Sequence, residues 1–553
     1  MVNPNLSRIS EKKLTPTINA KRLFQIIYRE QSKAEAKEDE VPKINVSELI
    51  SKMSFYYEKI RNTVDYKEEH LLRKNAIERI IKRKVVIEGT ISVKGVNSVE
   101  IARHLLTELI RAAYLPNNSI PETKIGEVAK TIKKYLDLKR AIAKVKGWGL
   151  SEKNDLNNWI IALAASDIEE RLGLSKINRT VVDYINKILL KNIELPGDSE
   201  YETDKEIQIF LGIHRCYLKF DRDMMSFILF KYYVADWKNP NAEKIEEVAA
   251  KIVFLRKAIN KQLEHPMVKQ LNRIISRYTV FFAILTDVIK ENPVAVYESI
   301  KKDPKVFPRE IKKACGKKYK ESSKKLWRAA VRSIIYIFIT KSVFAVLLEL
   351  PATKWFGEEL NVISLIINIS FPAVLLFFIV LFTKMPSEDN SNKIKEGIEE
   401  VVFEEHERKE PFRLRKPARR SKSMGLIFGI LYFITFFFSF GAVIWALNKI
   451  NFTWVSIVIF LFFLTFVSFF SIRIRKNARD MIIIPPRENI LSFISDFFYI
   501  PIVAVGKWMS EKFSQVNVFV FILDFIIEAP FKIFVEIAEE WTRYVRERKE
   551  DIV

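Results

Sequence analysis

The sequence predicts an all-α, multi-pass membrane protein with a large N-terminal cytosolic helical domain and C-terminal amphipathic, interfacial helices. Three observations carry that prediction. Runs of about 18 or more apolar residues, enough to cross a ~30 Å hydrocarbon core at 1.5 Å per residue, occur four times, all after residue 330. Upstream of them, apolar side chains recur three and four apart over most of 44–310, the period of helices that bury one face. And 90 Lys and Arg against 67 Asp and Glu give a net charge of +23 while the mean hydropathy is +0.01, so the average joins charged sequence to oily sequence. Two Cys exclude a disulfide scaffold and a Cys-rich zinc site and suit a reducing compartment. The 41 Phe and only 15 Gly exclude a disordered or collagen-like chain.

Residues 1–43 are polar and read as a mobile tail with one short helix around Arg22 to Arg29. The start, MVNPNLSRISEKKL, has no apolar h-region, so a secretory signal is not expected and the N-terminus stays inside. Residues 44–310 read as a cytosolic α-helical domain of about 265 residues, sufficient for one large or two small domains. Helices fit 98–114, 122–146, 152–172, 177–191, 204–236, 241–263 and 267–292, with breaks at Pro116-Asn117-Asn118, Gly147-Trp148-Gly149, Pro196-Gly197-Asp198 and Asn239-Pro240-Asn241. Only VVIEGTISVKGV (85–96) alternates in a strand-like way.

Residues 311–384 join a basic collar to the first transmembrane pair, 333–350 and 362–383. After Pro308 the only helix-weakening residue before Pro351 is Gly316, so one nearly continuous helix is expected to enter the membrane. A cytosolic charged loop (385–423) leads to the second pair, 424–446 and 453–472. The tail, 473–553, is expected to be cytosolic and interfacial. In 489–512 the polar residues Ser492, Asp496, Tyr499 and Lys507 follow helical spacing, and further on Asp524, Glu528, Lys532, Glu536 and Glu540 recur four apart. A fifth and sixth crossing, or a soluble bundle, are the alternatives for these two stretches.

Three flanks are basic, each with one acid: 311–328 (including Lys312, Lys313, Lys317, Lys318, Lys324, Lys325 and Arg328), 408–422 (including Arg413, Arg415, Lys416, Arg419 and Arg420) and 473–480 (including Arg473, Arg475 and Lys476). The positive-inside rule therefore puts both termini and 384–423 in the cytoplasm. Trp355, Trp445 and Trp454 fall near the outer interface, where indole rings are favoured. Lys- and Ile-rich usage suggests a bacterial cytoplasmic (inner) membrane and an AT-rich genome. Most of the net charge lies in these flanks, so anionic phospholipid of the cytoplasmic leaflet is the expected partner and nucleic acid is not. A second basic group, Arg73, Lys74, Arg79, Lys82, Arg83 and Lys84, interleaves with Glu68, Glu69 and Glu78 and reads the same way, as an attraction for anionic lipid or an acidic partner.

Catalytic and metal motifs are not found. His214 and Cys216 make at most a partial metal site, with packing the simpler reading. Asp221-Arg222-Asp223 could hold a divalent metal, or pair with Lys219 and Arg222 at a surface. No phosphate-cradling Gly-rich loop occurs, and no cofactor is expected. The residues of most interest are Lys341, eight residues inside the first apolar run, and Glu349, the nearest acid on the same helix about 80° round it. Pro372 is expected to kink the second run beside Asn368 and Ser370. A helix-packing role for Lys341 is the plainer alternative.

These residues support a non-enzymatic membrane organiser or adaptor whose helical domain binds an unidentified protein partner or senses the membrane. The alternative is an oligomeric transporter, channel or lipid-translocating protein that uses Lys341 and the Pro372 kink. A membrane-bound enzyme would have only the weak carboxylate and His candidates.

Overall fold

The computed structural model describes residues 15–35, 41–62, 68–91, 97–145, 149–195, 201–303, 305–358, 361–404, 411–416, 422–484, 490–515 and 528–550. They are almost entirely helical. Two compact units emerge: a helical unit of 18–279, 406–416 and 518–553, and a second unit of 1–17, 280–405 and 417–517 that holds the apolar runs.

The helical unit contains α1 (Ile18–Glu35), α2 (Glu48–Asn62), α3 (Glu69–Ile91), α4 (Ser98–Arg111), α5 (Thr123–Lys144), α6 (Leu150–Gly173), α7 (Lys176–Asn192), α8 (Lys205–Cys216), α9 (Arg222–Tyr233) and α10 (Ala242–Leu263), with the first half of α11 (Val268–Glu291). Side-chain caps mark several starts: Asn97 accepts from Val99 and Glu100, Ser175 from Asn178, and Asn241 from Lys244. The apolar stripes of α3 to α6 meet in one core through Ile77, Ile81, Leu105, Leu109, Ile132, Ala165 and Ile168. Two residues of β1 (Ile193–Glu194) pair in parallel with β2 (Phe412–Arg413).

Several sequence expectations change here. Residues 18–35 are a packed helix rather than part of a mobile tail, because Leu23, Phe24 and Ile27 share one face and are buried. The strand-like 85–91 continues α3, while 92–96 lie outside the described residues. The single helix expected over 204–236 is two. Lys219 takes a left-handed φ of 57°, which ends the run, and Asp221 caps a new helix by accepting from the Met224 N–H at 3.0 Å.

The second unit is led by α12 (Pro293–Lys302) and α13 (Val306–Phe344), which is continuous for 39 residues, as the lack of breakers predicts. A widened π turn (Ala345–Glu349) and α14 (Leu350–Trp355) extend it. Then follow α15 (Val362–Leu381), α16 (Glu388–Glu399), α17 (Lys422–Lys449), α18 (Trp454–Arg479) and α19 (Ile490–Gln515). Among the described residues four helices are long and apolar enough to cross a membrane: Val306–Trp355, Val362–Leu381, Ser423–Lys449 and Trp454–Lys476. Leu326 and Ile337 of α13, Leu376 and Val380 of α15, and Val467 and Ile474 of α18 interlock as the shared core of those three helices. Much of α17 is exposed, Phe433, Phe437 and Phe438 among its side chains, a surface suited to lipid rather than water.

The loop expected over 385–423 is in part a helix. Ile394 and Ile398 of α16, with Val401 and Val402 in the turn beyond it, are buried. The 489–512 stretch forms α19, which leans on the middle of α18. A Cβ added to Gly506 would lie 2.0 Å from the Thr465 carbonyl oxygen, so only glycine permits that approach, and the Tyr499 hydroxyl donates to the Ser468 carbonyl at 3.0 Å. Residues 516–527, including Asp524, lie outside the described residues, and Glu528–Glu550 forms α20 in the helical unit.

Candidate functional site

One face of α13 is buried through Leu326, Ala330, Ser333, Ile337 and Lys341, then Ala345 and Glu349. Successive steps of four residues drift by about 40° on an α-helix, so a regular helix would swing Glu349 away from Lys341. The π turn prevents this. Pro351 has no N–H to bond the carbonyl four residues back, and just before it the Leu350 N–H reaches five back to Ala345. The extra residue in that turn restores the phase, and both ionisable side chains are buried, Lys341 at 0 % and Glu349 at 1 % exposure.

Three helices supply the surroundings of Glu349. Its Oε1 accepts from Asn368 Nδ2 of α15 at 2.5 Å and from Ser456 Oγ of α18 at 2.7 Å. Asn368 Nδ2 also donates to the Ser456 carbonyl at 3.3 Å. Both amide hydrogens of Asn368 are thereby used, which fixes the orientation of the amide. Pro372, also buried, sits four residues beyond and has no N–H to bond the Asn368 carbonyl. Nearby, Thr353 Oγ1 donates to the Glu349 carbonyl at 2.7 Å, and Ser364 Oγ donates to the Asn451 carbonyl at 3.2 Å.

Lys341 Nζ lies 4.0 Å from the centroid of the Phe463 ring of α18, a cation–π contact. Among the described residues Lys341 and Glu349 form no ion pair within 4 Å. In this cluster three fully buried polar atoms find no hydrogen-bond partner: Lys341 Nζ, Glu349 Oε2 and Asn368 Oδ1. Buried unpaired groups of this kind cost on the order of 1–3 kcal/mol each, more when charged, and are rare in settled structural cores. Sequence reasoning named Lys341, Glu349 and Pro372. It did not find Ser456 or Phe463, which become neighbours only through helix packing.

The basic collars divide into paired and unpaired members. Lys312, Lys313, Lys317 and Lys318 lie within 4 Å of Glu388, Glu310, Glu291 and Asp287 respectively. Lys324, Lys325 and Arg328, nearest the apolar stretch, are exposed with no ion pair among the described residues. Arg413, Arg415 and Lys416 belong to the helical unit, where Arg413 pairs with Glu194 at 3.2 Å and the Arg415 N–H donates to Gln270. Arg473 and Lys476 are exposed on α18, and Arg475 is half-buried. Arg419 and Arg420 lie outside the described residues.

Elsewhere, the candidate groups of the helical unit are bonded internally. The carboxylates of Asp221 and Asp223 meet a cation from another helix. The ammonium of Lys74 lies between them, with Glu78 at 3.4 Å, and Arg222 turns instead to Glu264 at 3.0 Å. Burial opposes the Lys74 charge, but the three carboxylates outweigh it and hold the ammonium protonated far into the alkaline range. Three more of the basic group on α3 are tied to glutamates of the same unit, while Lys82 is exposed and Lys84 half-buried. Arg73 pairs with Glu169 at 2.6 Å, Arg79 with Glu58 at 2.7 Å and Arg83 with Glu108 at 2.8 Å.

His214 is buried against Phe210 and Phe220, its Nδ1 2.8 Å from the Phe210 carbonyl, and burial lowers its pKa to about 4. Cys216 contacts Ser276 and the Asn272 carbonyl instead. Among the described residues no group of three His, Cys, Asp or Glu is placed to hold a metal ion. A network absent from the sequence reading joins Lys134, Tyr135, Asp167, Arg171 and Trp237. Asp167 accepts from Lys134 at 2.6 Å and Arg171 at 2.7 Å, and Trp237 Nε1 donates to the Tyr135 hydroxyl at 3.0 Å. Compared with protein-family models, with curated proteins and with solved structures, the chain has no match.

Proposed function

We propose that this is a multi-pass membrane protein that moves a small ion past a charged centre in its apolar bundle. One observation carries the reading: Lys341 and Glu349 share a buried face of one spanning-length helix, and each keeps a polar atom without a partner. Ionisable groups at membrane depth are costly and are kept for ion paths, relays and counter-ions. At about 1.5 Å per residue Lys341 lies roughly 13 Å beyond Arg332, close to mid-bilayer, with the Glu349 group nearer the opposite face. Pro372 inside the continuous α15 removes one backbone hydrogen bond, and the π turn loosens the helix that carries Glu349.

In this reading the membrane is a cytoplasmic (inner) membrane, both termini are cytoplasmic, and Lys324, Lys325 and Arg328 meet anionic phospholipid. Four spans make a thin wall for a path, which favours a homo-oligomer. The test is flux from liposomes containing purified protein. Wild type should release an ion gradient, and Lys341→Leu should slow that release at least tenfold. Equal rates for the two, or wild-type rates no faster than empty vesicles, would sink the reading.

A second reading, the non-enzymatic organiser, is favoured by α20. Phe534, Ile537, Trp541, Tyr544 and Val545 are exposed along it, with Arg548 and Lys549 at its end, a pattern suited to lying in a headgroup layer or against a protein partner. Retained cellular function after removal of 44–300 would count against it.

A further inference from the structure

We infer that Glu349 and Asn368, braced by Ser456, bind one small monovalent cation, a sodium ion or a proton. The inference deepens the translocation reading by naming the class of ion. It rests on which atoms are left over. Asn368 spends both N–H bonds, on Glu349 Oε1 and on the Ser456 carbonyl, and Ser456 spends its hydroxyl on the same Oε1. What remains is Glu349 Oε2 and Asn368 Oδ1, buried atoms of the two groups that already touch, and neither meets a donor. Pro372 leaves the Asn368 carbonyl without its helical donor as well.

A site made only of oxygen acceptors, one of them anionic, is complementary to a hard cation and repels an anion. Among the described residues no cation lies within 4 Å of Glu349, and Lys341 acts on it only across a distance. The helices packed on Glu349 carry no ionisable group over Val362–Leu381 or Trp454–Ser471, and on its own helix Lys341 is directed to Phe463. Either candidate balances the site. A proton on Oε2 would let the carboxyl O–H donate to Asn368 Oδ1, and a sodium ion would accept both oxygens as ligands. In each case the cation bears the charge that the buried carboxylate otherwise carries unpaired. Lys341, deeper along the helix, repels the bound cation and sets how tightly it is held.

The test uses full-length protein in lipid nanodiscs, titrated with sodium chloride against choline chloride at fixed ionic strength. The readouts are the thermal midpoint and the infrared band of a protonated carboxyl group. A saturable sodium-dependent rise in the midpoint, absent in Glu349→Gln and in Asn368→Leu, identifies sodium. A protonated-carboxyl band at neutral pH that disappears in Glu349→Gln, with no sodium effect, identifies a proton. Lys341→Met tests the same site without touching its oxygens. At about 12 Å and an effective dielectric of ~20, removing its charge should tighten sodium binding about tenfold, or strengthen the carboxyl band.

Neither signal in folded wild-type protein overturns the inference, as does either signal surviving unchanged in Glu349→Gln. If Glu349→Gln does not fold, no response to Lys341→Met overturns it. Cation binding with no flux would leave this inference standing and remove the translocation reading, so the two fail separately.

Discussion

The Nζ atom of Lys74 lies 2.7 Å from Asp223 and 3.1 Å from Asp221, with 1 % of its side chain exposed. An ammonium ion delivered by α3 thus occupies the space between two carboxylates at the start of α9. This explains why Asp221-Arg222-Asp223 looks like a cation site in sequence and is a structural tie in the fold. Lys74→Met should cost about 3–5 kcal/mol, because it strands two or three carboxylates rather than removing a matched pair. Urea denaturation followed by circular dichroism would measure it. A loss below about 1 kcal/mol would show that the tie contributes little.

Asp167 answers two cations at once, Lys134 at 2.6 Å and Arg171 at 2.7 Å, and also accepts from the Tyr135 hydroxyl. Burial lowers the Lys134 pKa and raises that of Tyr135, so both depend on this carboxylate for their place in the core. Asp167→Asn should destabilise the helical unit more than Arg171→Ala, by about 3 kcal/mol against about 1. Limited proteolysis of the two variants would rank them.

His214 gives a pH dependence of definite sign. Its pKa is about 4 in the fold against 6.5 for the free side chain, so the unfolded chain takes up more protons between those values. Stability from the neutral ring is therefore fully present above pH 6.5 and is lost as pH falls towards 4. The loss amounts to about 3 kcal/mol at most. Wild type should lose stability faster than His214→Gln across that window, by up to one proton in the slope; parallel curves would reject the assignment.

Gly506 is fixed by a backbone rather than a side chain. A methyl group there meets the Thr465 carbonyl, which belongs to a helix and has little room to move. Gly506→Ala should therefore separate α19 from α18 and lower the thermal midpoint in detergent, by an amount worth about 1–3 kcal/mol. Gly425→Ala, where nothing lies within 4 Å, is the control and should not lower the midpoint.

The architecture was legible where one pattern dominates. Unbroken apolar runs gave the four spanning-length helices, and the absence of breakers gave the continuity of α13. Lys341 and Glu349 stood out because charge is scarce there. What sequence could not reveal depended on partners distant in the chain. Arg73 and Arg83 looked like surface residues because the glutamates that meet them lie tens of residues away. Ser456 and Phe463 are ordinary members of an apolar run until α18 is packed against α13. The strand-like alternation at 85–91 was overruled by the helix already running through Ile77 and Ile81, whose face is anchored in the core.

The widened turn at Ala345–Glu349 behaves as one spare residue held in reserve. If that turn closed to ordinary pitch, everything beyond it would rotate by about 100° and advance by about 1.5 Å relative to Lys341. Glu349 would then leave the interior for the periphery, breaking its bonds to Asn368 and Ser456 in a single motion. A helix that can give up or regain a residue works as a screw, and here its thread ends on a buried acid of the apolar core.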